Sequence, residues 1–205
     1  MKRPSFLHRA IAVLVLLVFF APIPAHADTA AQGVVRGLYA QLVSTMKQGR
    51  ELGFEGRYKK LDPVIKAAFN LPLMARMATG PSWANASAQE QDDLIKAFSD
   101  FSVATYASRF AAYDGEQFTV IGEKPSVGGV IVETSMKPST GDAITLNYLM
   151  RADDKGNYRI VDVMMNGTIS ELATRRAEFS SIARRDGIQA LVNSLSGKSK
   201  QMGAS

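Results

Sequence analysis

Hydrophobic residues in the first half of the chain recur every three or four positions, which is the spacing of one face of an α-helix. This pattern predicts a first helix over residues 30–48 that ends at Gly49. A second helix is predicted to begin at Asp62 and Pro63, because aspartate suits the N-cap and proline suits the first helical position. A short third helix is predicted to begin at Pro72.

The longest helical pattern runs from about Ser87 to Tyr113. Ser87 and Glu90 have the spacing of a capping box, in which each side chain accepts a hydrogen bond from the other residue's backbone N–H. Six residues form the apolar stripe of this helix: Leu94, Ile95, Phe98, Phe101, Tyr106 and Phe110. Asp114 and Gly115 interrupt the period, so we expect the helix to end before them.

Beyond these residues the apolar period changes from 3.6 to 2, which is the period of a half-buried strand. Strands are predicted over residues 117–122, 130–137, 143–151 and 158–165, with short turns between them. Consecutive strands joined by short turns form an antiparallel meander. Such a sheet commonly has one apolar face, which helices are able to cover, and one face in contact with solvent.

The chain returns to a helical pattern after the fourth strand, where Thr168 and Glu171 have the spacing of a second capping box. Residues 196–205 are small and polar and are predicted to form a disordered tail. The order of elements predicts an α+β fold: a four-stranded curved antiparallel sheet with helices packed on one face, in an NTF2-like cone that encloses an apolar cavity.

The N-terminal 27 residues have the three parts of an export signal: a positively charged start, an uncharged apolar run over residues 10–20, and an A-x-A motif that ends at Ala27. The apolar run is shorter than the ~20 residues that a spanning helix needs. We therefore predict a cleaved signal peptide over residues 1–27, and a single periplasmic domain over residues 28–205.

The residue types that are missing restrict the chemistry of the mature protein. The chain has no cysteine, and its two histidines, His8 and His26, lie in the predicted signal peptide. The mature protein would therefore lack Cys–His and Ser–His–Asp catalytic sites, as well as thiolate and imidazole metal sites. We predict neither a cofactor nor a metal ion.

The charge of the mature protein argues against a nucleic-acid partner. Loss of the signal peptide lowers the formal net charge from +5 to +2, whereas nucleic-acid binding requires a concentrated basic face. The basic residues that cluster are Arg175, Arg176, Arg184 and Arg185. The two pairs fall on roughly opposite faces of a helix and are expected to be solvated; contact with lipid headgroups or an acidic partner is the alternative.

Four segments of the chain resemble the MlaC-like family of periplasmic lipid-binding proteins, formerly called toluene-tolerance proteins. They cover residues 57–83, 97–113, 130–136 and 158–187, and the resemblance spans about residues 36–195. It implies a non-enzymatic shuttle that carries a membrane lipid in an apolar cavity. Its partners would be an inner-membrane MCE-domain ABC transporter or an RND-type exporter, and we expect the protein itself to be a monomer.

The chain departs from the phospholipid-carrier pattern after the fourth strand. The family pattern DVxVEGVSLVxxYRxQF is replaced by DVMMNGTISELATRRAEF, so that Arg175 and Arg176 stand where the family has Tyr-Arg. This wording resembles the hopanoid-associated HpnM branch. The resemblance therefore leaves two lipid classes open, a hopanoid and a diacyl phospholipid.

The predicted lipid-binding residues come from both layers of the domain. Composition alone leaves open whether they line a cavity or fill a packed core. The predicted helical wall contains Phe69, Leu73, Met74, Met77, Trp83, Phe98, Phe101, Tyr106 and Phe110. The predicted sheet wall contains Val132, Ile144, Leu146, Tyr148, Val163 and Met165.

Two other functions remain as alternatives. A cone-shaped α+β domain is able to host proton transfer on an apolar substrate, with Asp162 as the base and Tyr148 or Tyr106 as the donor. This would require Asp162 inside the cavity, although we favour a pair with Arg151 or Arg159. The other alternative is a transporter adaptor that carries no ligand, which predicts a collapsed core.

Overall fold

The computed structural model describes residues 29–204. The predicted signal peptide lies outside these residues. The helices are α1 (Ala30–Lys47), α2 (Gly49–Ala68), α3 (Leu71–Thr79), a 3₁₀ segment (Gly80–Asn85), α4 (Ala88–Arg109), α5 (Glu171–Asp186) and α6 (Ile188–Ala204). The strands are β1 (Gln117–Ser126), β2 (Gly129–Lys137), β3 (Ile144–Ala152), β4 (Tyr158–Met165) and β5 (Ile169–Ser170). None of the helices in residues 29–204 has the length and apolar character needed to cross a membrane.

The strands form one antiparallel sheet in the order β1-β2-β3-β4-β5, and helices pack on it. This confirms the predicted α+β fold, but the sheet has five strands rather than four. The additional strand β5 has two residues, too few for an alternating pattern to show in the sequence. β1 also extends to Ser126, beyond the predicted end at residue 122. The prediction stopped early because a bulge between Val120 and Gly122 interrupts the alternation of apolar and polar residues.

The face of the sheet that carries Val132, Tyr148 and Met150 is turned toward the helices, and all three side chains are buried. Tyr39 of α1 contacts this face: its ring lies 5.8 Å from the ring of Tyr148, and its hydroxyl is 2.6 Å from the Thr134 hydroxyl. Burial of each large apolar side chain contributes about 1.5–3 kcal/mol. The helical and sheet layers are therefore joined mainly by apolar packing.

The predicted start of the second helix at Asp62 and Pro63 is wrong, since α2 already begins at Gly49 and contains Pro63. The local cap signals were outweighed by a tertiary contact. The guanidinium of Arg57 donates hydrogen bonds to the carbonyl oxygens of Gly49 (2.7 Å) and Ala107 (2.8 Å), which ties the first half of α2 to α4. The glycine at position 53 has non-helical backbone angles and marks a kink rather than an end.

The predicted disordered tail is also wrong, because α6 continues to Ala204. The ammonium group of Lys198 forms an ion pair with Glu178 of α5. Gly203 lies against the ring of Phe54, where an added Cβ would be 3.0 Å from a ring carbon. These contacts with α5 and α2 order small, polar residues that composition alone marks as disordered.

The capping signals were right at one helix and wrong at another. Ser87 and Glu90 form the predicted capping box of α4. At α5, however, the N-cap is Ser170, whose hydroxyl accepts a hydrogen bond from the Ala173 N–H. Thr168 cannot take this role, because it precedes the short strand β5.

Gly49 provides a test of the close contact between α2 and the segment after α4. A Cβ at this position would lie 1.9 Å from the carbonyl oxygen of Ala111. Because a backbone atom would have to move, we expect Gly49→Ala to lower the free energy of unfolding by about 2–3 kcal/mol. Gly33, on α1, has no atom within 4 Å of the position of an added Cβ. Because alanine favours a helix more than glycine does, Gly33→Ala is expected to raise the free energy of unfolding by about 0.5–1 kcal/mol.

Urea denaturation of the two glycine variants measures both effects. The opposite signs are the important result, because both variants make the same chemical change in a helix. A Gly49→Ala variant as stable as the unaltered protein would contradict the close approach of α2 to Ala111.

Candidate functional site

A cavity of about 270 Å³ lies between one end of the sheet and helices α2 to α5. Its helical wall is formed by Ile65, Phe69, Leu71, Met74, Ser102, Thr105, Tyr106, Arg109, Phe110, Glu171 and Arg175. Its sheet wall is formed by Met136, Ile144, Leu146, Tyr148, Val163 and Met165. Most of these side chains are apolar, so the space suits a hydrocarbon ligand better than water.

The aromatic residues of the wall are packed against one another. The Phe69 and Phe110 rings each lie 5.5 Å from the Tyr106 ring, the first edge-on and the second stacked. Phe110 in turn lies 6.1 Å from Phe118 on β1. Ring pairs at such distances add about 0.5–1.5 kcal/mol beyond burial, so this side of the cavity is a continuous aromatic surface.

Nine of the fifteen predicted lipid-binding residues line the cavity. They are Phe69, Met74, Tyr106, Phe110, Ile144, Leu146, Tyr148, Val163 and Met165. The other six lie elsewhere: Leu73, Met77, Trp83, Phe98, Phe101 and Val132. Phe98 and Phe101, for example, pack edge-on against Phe179 of α5. Sequence periodicity places a residue on the apolar face of its helix, but that face covers both solid core and cavity.

Two hydroxyl residues of α4 line the cavity without offering a free proton to it. The Ser102 hydroxyl donates to the Phe98 carbonyl (2.8 Å), and the Thr105 hydroxyl donates to the Phe101 carbonyl (2.7 Å). Burial raises the pKa of Tyr106, against the opposing charge of Arg175, and burial also raises the pKa of Tyr148. Both phenols therefore face the cavity as neutral groups.

Arg175 is the residue that sequence reasoning placed least well. We expected it to be solvated, but its side chain is only 18% exposed and lines the cavity. Its guanidinium lies 5.0 Å from the centre of the Phe101 ring, and its Nε is 3.9 Å from a carboxylate oxygen of Glu171. Burial lowers the pKa of Arg175, and Glu171 opposes this shift. Arginine nevertheless keeps its charge in proteins.

Asp162 does not form the predicted pair with Arg151 or Arg159. Its carboxylate accepts hydrogen bonds from the backbone N–H groups of Val163 (2.8 Å) and Leu172 (3.0 Å) and from the Ser170 hydroxyl (2.5 Å). It thereby fixes the start of α5 to β4.

The residues suspected of proton transfer are also not brought together. Tyr106 and Tyr148 line the cavity, whereas Asp162 does not. The Asp162 carboxylate is occupied by three donors that position structural elements, so it is not available as a base. In residues 29–204, no group of three or more acidic residues has the arrangement of a metal site.

The fold and the cavity define a class of α+β proteins in which an antiparallel sheet and its helices enclose an apolar space. The chain belongs to the MlaC protein family, whose model matches residues 36–197. This confirms the family predicted from the sequence, while the assignment to the HpnM branch stays a prediction.

A solved structure has the same fold. It is a phospholipid-binding protein from Ralstonia solanacearum, determined in complex with a phospholipid. The two chains are 20% identical, the alignment covers 84% of this chain and 98% of that chain, and the TM-score is 0.72.

Proposed function

We propose that the protein is a periplasmic lipid-binding carrier that holds a membrane lipid in the apolar cavity. The observation that carries this proposal is the cavity itself, because the two layers do not close into solid contact at that end of the sheet. Its walls come from all the helices between α2 and α5 and from β2, β3 and β4. Membership of the MlaC family and the phospholipid in the Ralstonia solanacearum complex support the same function.

Transfer energetics explain why such a carrier is needed. Burial of a methylene group contributes ~0.8 kcal/mol. The transfer of a lipid with about thirty buried carbons from a membrane into water therefore costs roughly 25 kcal/mol of free energy. A cavity as apolar as the bilayer removes this penalty. The carrier then moves lipid between membranes with little change in free energy, and docking to a membrane protein provides a dry path.

The cavity is small for a whole lipid, since ligand pockets measure roughly 300–1,000 Å³. Uptake therefore requires the walls to move apart. Met74, Met136 and Met165 suit this requirement, because methionine side chains are flexible and adapt to ligands of varied shape.

The identity of the lipid and the identity of the partner are supported by different observations. The structural relative supports a phospholipid, whereas the resemblance of the segment after β4 to the HpnM branch supports a hopanoid. The family resemblance supports an MCE-domain ABC transporter or an RND-type exporter as the partner. The adaptor alternative predicts a collapsed core, and the cavity weighs against it.

Lipid extraction tests the proposal directly. We expect organic solvent to release a stoichiometric amount of lipid from protein purified from the periplasm of an expressing cell, with mass spectrometry to identify it. The same protein, delipidated beforehand, is the control. Extracts without lipid from several growth conditions would count against carriage, and the lipid class found decides between a phospholipid and a hopanoid.

A further inference from the structure

The cavity has one charged edge in an otherwise apolar lining. Arg175 and Glu171 lie one helical turn apart on α5, and Arg109 lies at the end of α4. Arg109 is exposed, whereas the Arg175 side chain is only 18% exposed, so the two cations differ in their access to solvent. The three side chains carry a net positive charge.

The Arg175 guanidinium is not satisfied by its neighbours. Its Nη1 atom is buried and has no hydrogen-bond partner within residues 29–204. The Glu171 carboxylate is nearest to Nε, at 3.9 Å, beyond hydrogen-bond distance. An unpaired buried donor is costly, so a charged donor at a cavity wall indicates a ligand group with acceptor oxygens.

A guanidinium suits one acceptor class above others. Its planar set of N–H donors matches the oxygens of phosphate, and such bonds are shorter and stronger than those between neutral groups. The guanidinium carbon of Arg175 already lies over the Phe101 ring, 5.0 Å from its centre. The Nη1 atom of Arg175, which is covered and has no hydrogen-bond partner within residues 29–204, is the donor left for a ligand oxygen once the cavity walls move apart.

We propose that Arg175 binds the phosphate of the carried lipid, with Arg109 as a second cation, and thereby selects phospholipids over lipids that lack a phosphate. This inference rests on the proposed carrier function and deepens it. The substitution of the family's Tyr-Arg by Arg175–Arg176 then has a physical meaning, because it adds a cation to the cavity wall. Apolar burial supplies most of the affinity, and Arg175 supplies the preference.

The test measures a ratio within a single sample. Delipidated protein is incubated with vesicles that contain dioleoyl phosphatidylglycerol and dioleoylglycerol, which have the same acyl chains and differ in the phosphate headgroup. The two lipids retained by the protein are then quantified by mass spectrometry relative to the vesicle. For the unaltered protein we expect a preference of roughly tenfold or more for phosphatidylglycerol, the effect of a charged hydrogen bond.

Three variants locate the origin of this preference. Arg175→Met removes the guanidinium and is expected to bring the ratio close to one while dioleoylglycerol is still retained. Arg175→Lys keeps the charge without the planar donors, so an intermediate ratio is expected. Arg176→Met is the matched control, since it removes the same charge from the adjacent, exposed position and should leave the ratio unchanged.

The possible outcomes separate this inference from the carrier function. If the unaltered protein retains both lipids without preference, or if Arg175→Met keeps the preference, the phosphate assignment is overturned and carriage stands. If the unaltered protein takes up neither lipid, the carrier function fails. If Arg175→Met does not fold, the ratio for Arg175→Lys decides the assignment, because a preference that Arg175→Lys leaves unchanged would overturn it.

Free phosphate is the other source of the same chemistry, and calorimetry with inorganic phosphate tests it. We expect binding too weak to displace phosphatidylglycerol, because inorganic phosphate has no acyl chain to bury. Displacement of the lipid by millimolar inorganic phosphate would overturn the assignment to a lipid headgroup.

Discussion

Replacement of Phe179 by alanine is expected to lower the free energy of unfolding by about 3–5 kcal/mol. The Phe179 side chain is 2% exposed, and its ring lies edge-on to two rings of α4, 6.3 Å from Phe98 and 6.0 Å from Phe101. Alanine would leave a void between α5 and α4 and remove both ring contacts. Such a loss is a large fraction of the roughly 5–15 kcal/mol that stabilises a domain.

Urea denaturation measures this loss. The slope of the free energy of unfolding against urea concentration should not change, which would show that the variant exposes the same surface on unfolding. Tyr113→Ala is the control, because Tyr113 is an exposed aromatic residue whose ring contact is with Lys47. Its effect should be within about 0.5 kcal/mol. A loss of less than about 1 kcal/mol for Phe179→Ala would show that the ring does not fill the space between the two helices.

The sequence predicted the parts of the fold that depend on local pattern. α4 has a capping box at Ser87 and a long apolar stripe, and both signals lie within the helix itself. The strands were recognised because alternation is a property of neighbouring residues. The fold class and nine of the cavity residues followed from these regular elements, whereas the family followed from the resemblance of four sequence segments.

The errors share a physical cause, which is a contact between residues far apart in the chain. The first half of α2 depends on Arg57 and its bond to Ala107, and the end of α6 depends on Phe54. Asp162 caps the start of α5 rather than pairing with an arginine of its own sheet. Such contacts become visible only when the elements are assembled.

Arg175 is the most consequential example, because the sequence pattern of α5 alone does not predict whether its side chain is exposed or buried. Arg175 and Arg176 are adjacent, yet one lines the cavity and the other is exposed. The departure from the family pattern at this pair was the signal in the sequence, but only the packing of α5 on α4 shows which arginine turns inward. Adjacent residues of a helix face different directions, so the orientation of α5 about its own axis determines which of the two arginines lines the cavity.

Substitution of Val163 by tryptophan is expected to reduce the lipid retained by the protein at least tenfold. Val163 lies on β4 and is half-buried, and it lines the sheet wall of the cavity, whose helical wall includes Tyr106 of α4 and Phe110 at the end of that helix. An indole at this position would occupy the space that an acyl chain or a fused-ring lipid needs. A binding loss of about 1.4 kcal/mol already corresponds to tenfold, and exclusion of even two methylene groups costs that much.

Stability and lipid content should respond differently to this substitution. Overpacking costs typically 1–3 kcal/mol, but filling an existing cavity offsets part of that cost, so the variant is expected to fold. Ile121→Trp is the matched control, since Ile121 lies on β1 with 65% of its surface exposed and its replacement should leave the lipid content unchanged. Solvent extraction and mass spectrometry of both variants measure the effect. If Val163→Trp folds and carries as much lipid as the unaltered protein, the ligand does not occupy the space between β4 and α4, and the site must lie elsewhere.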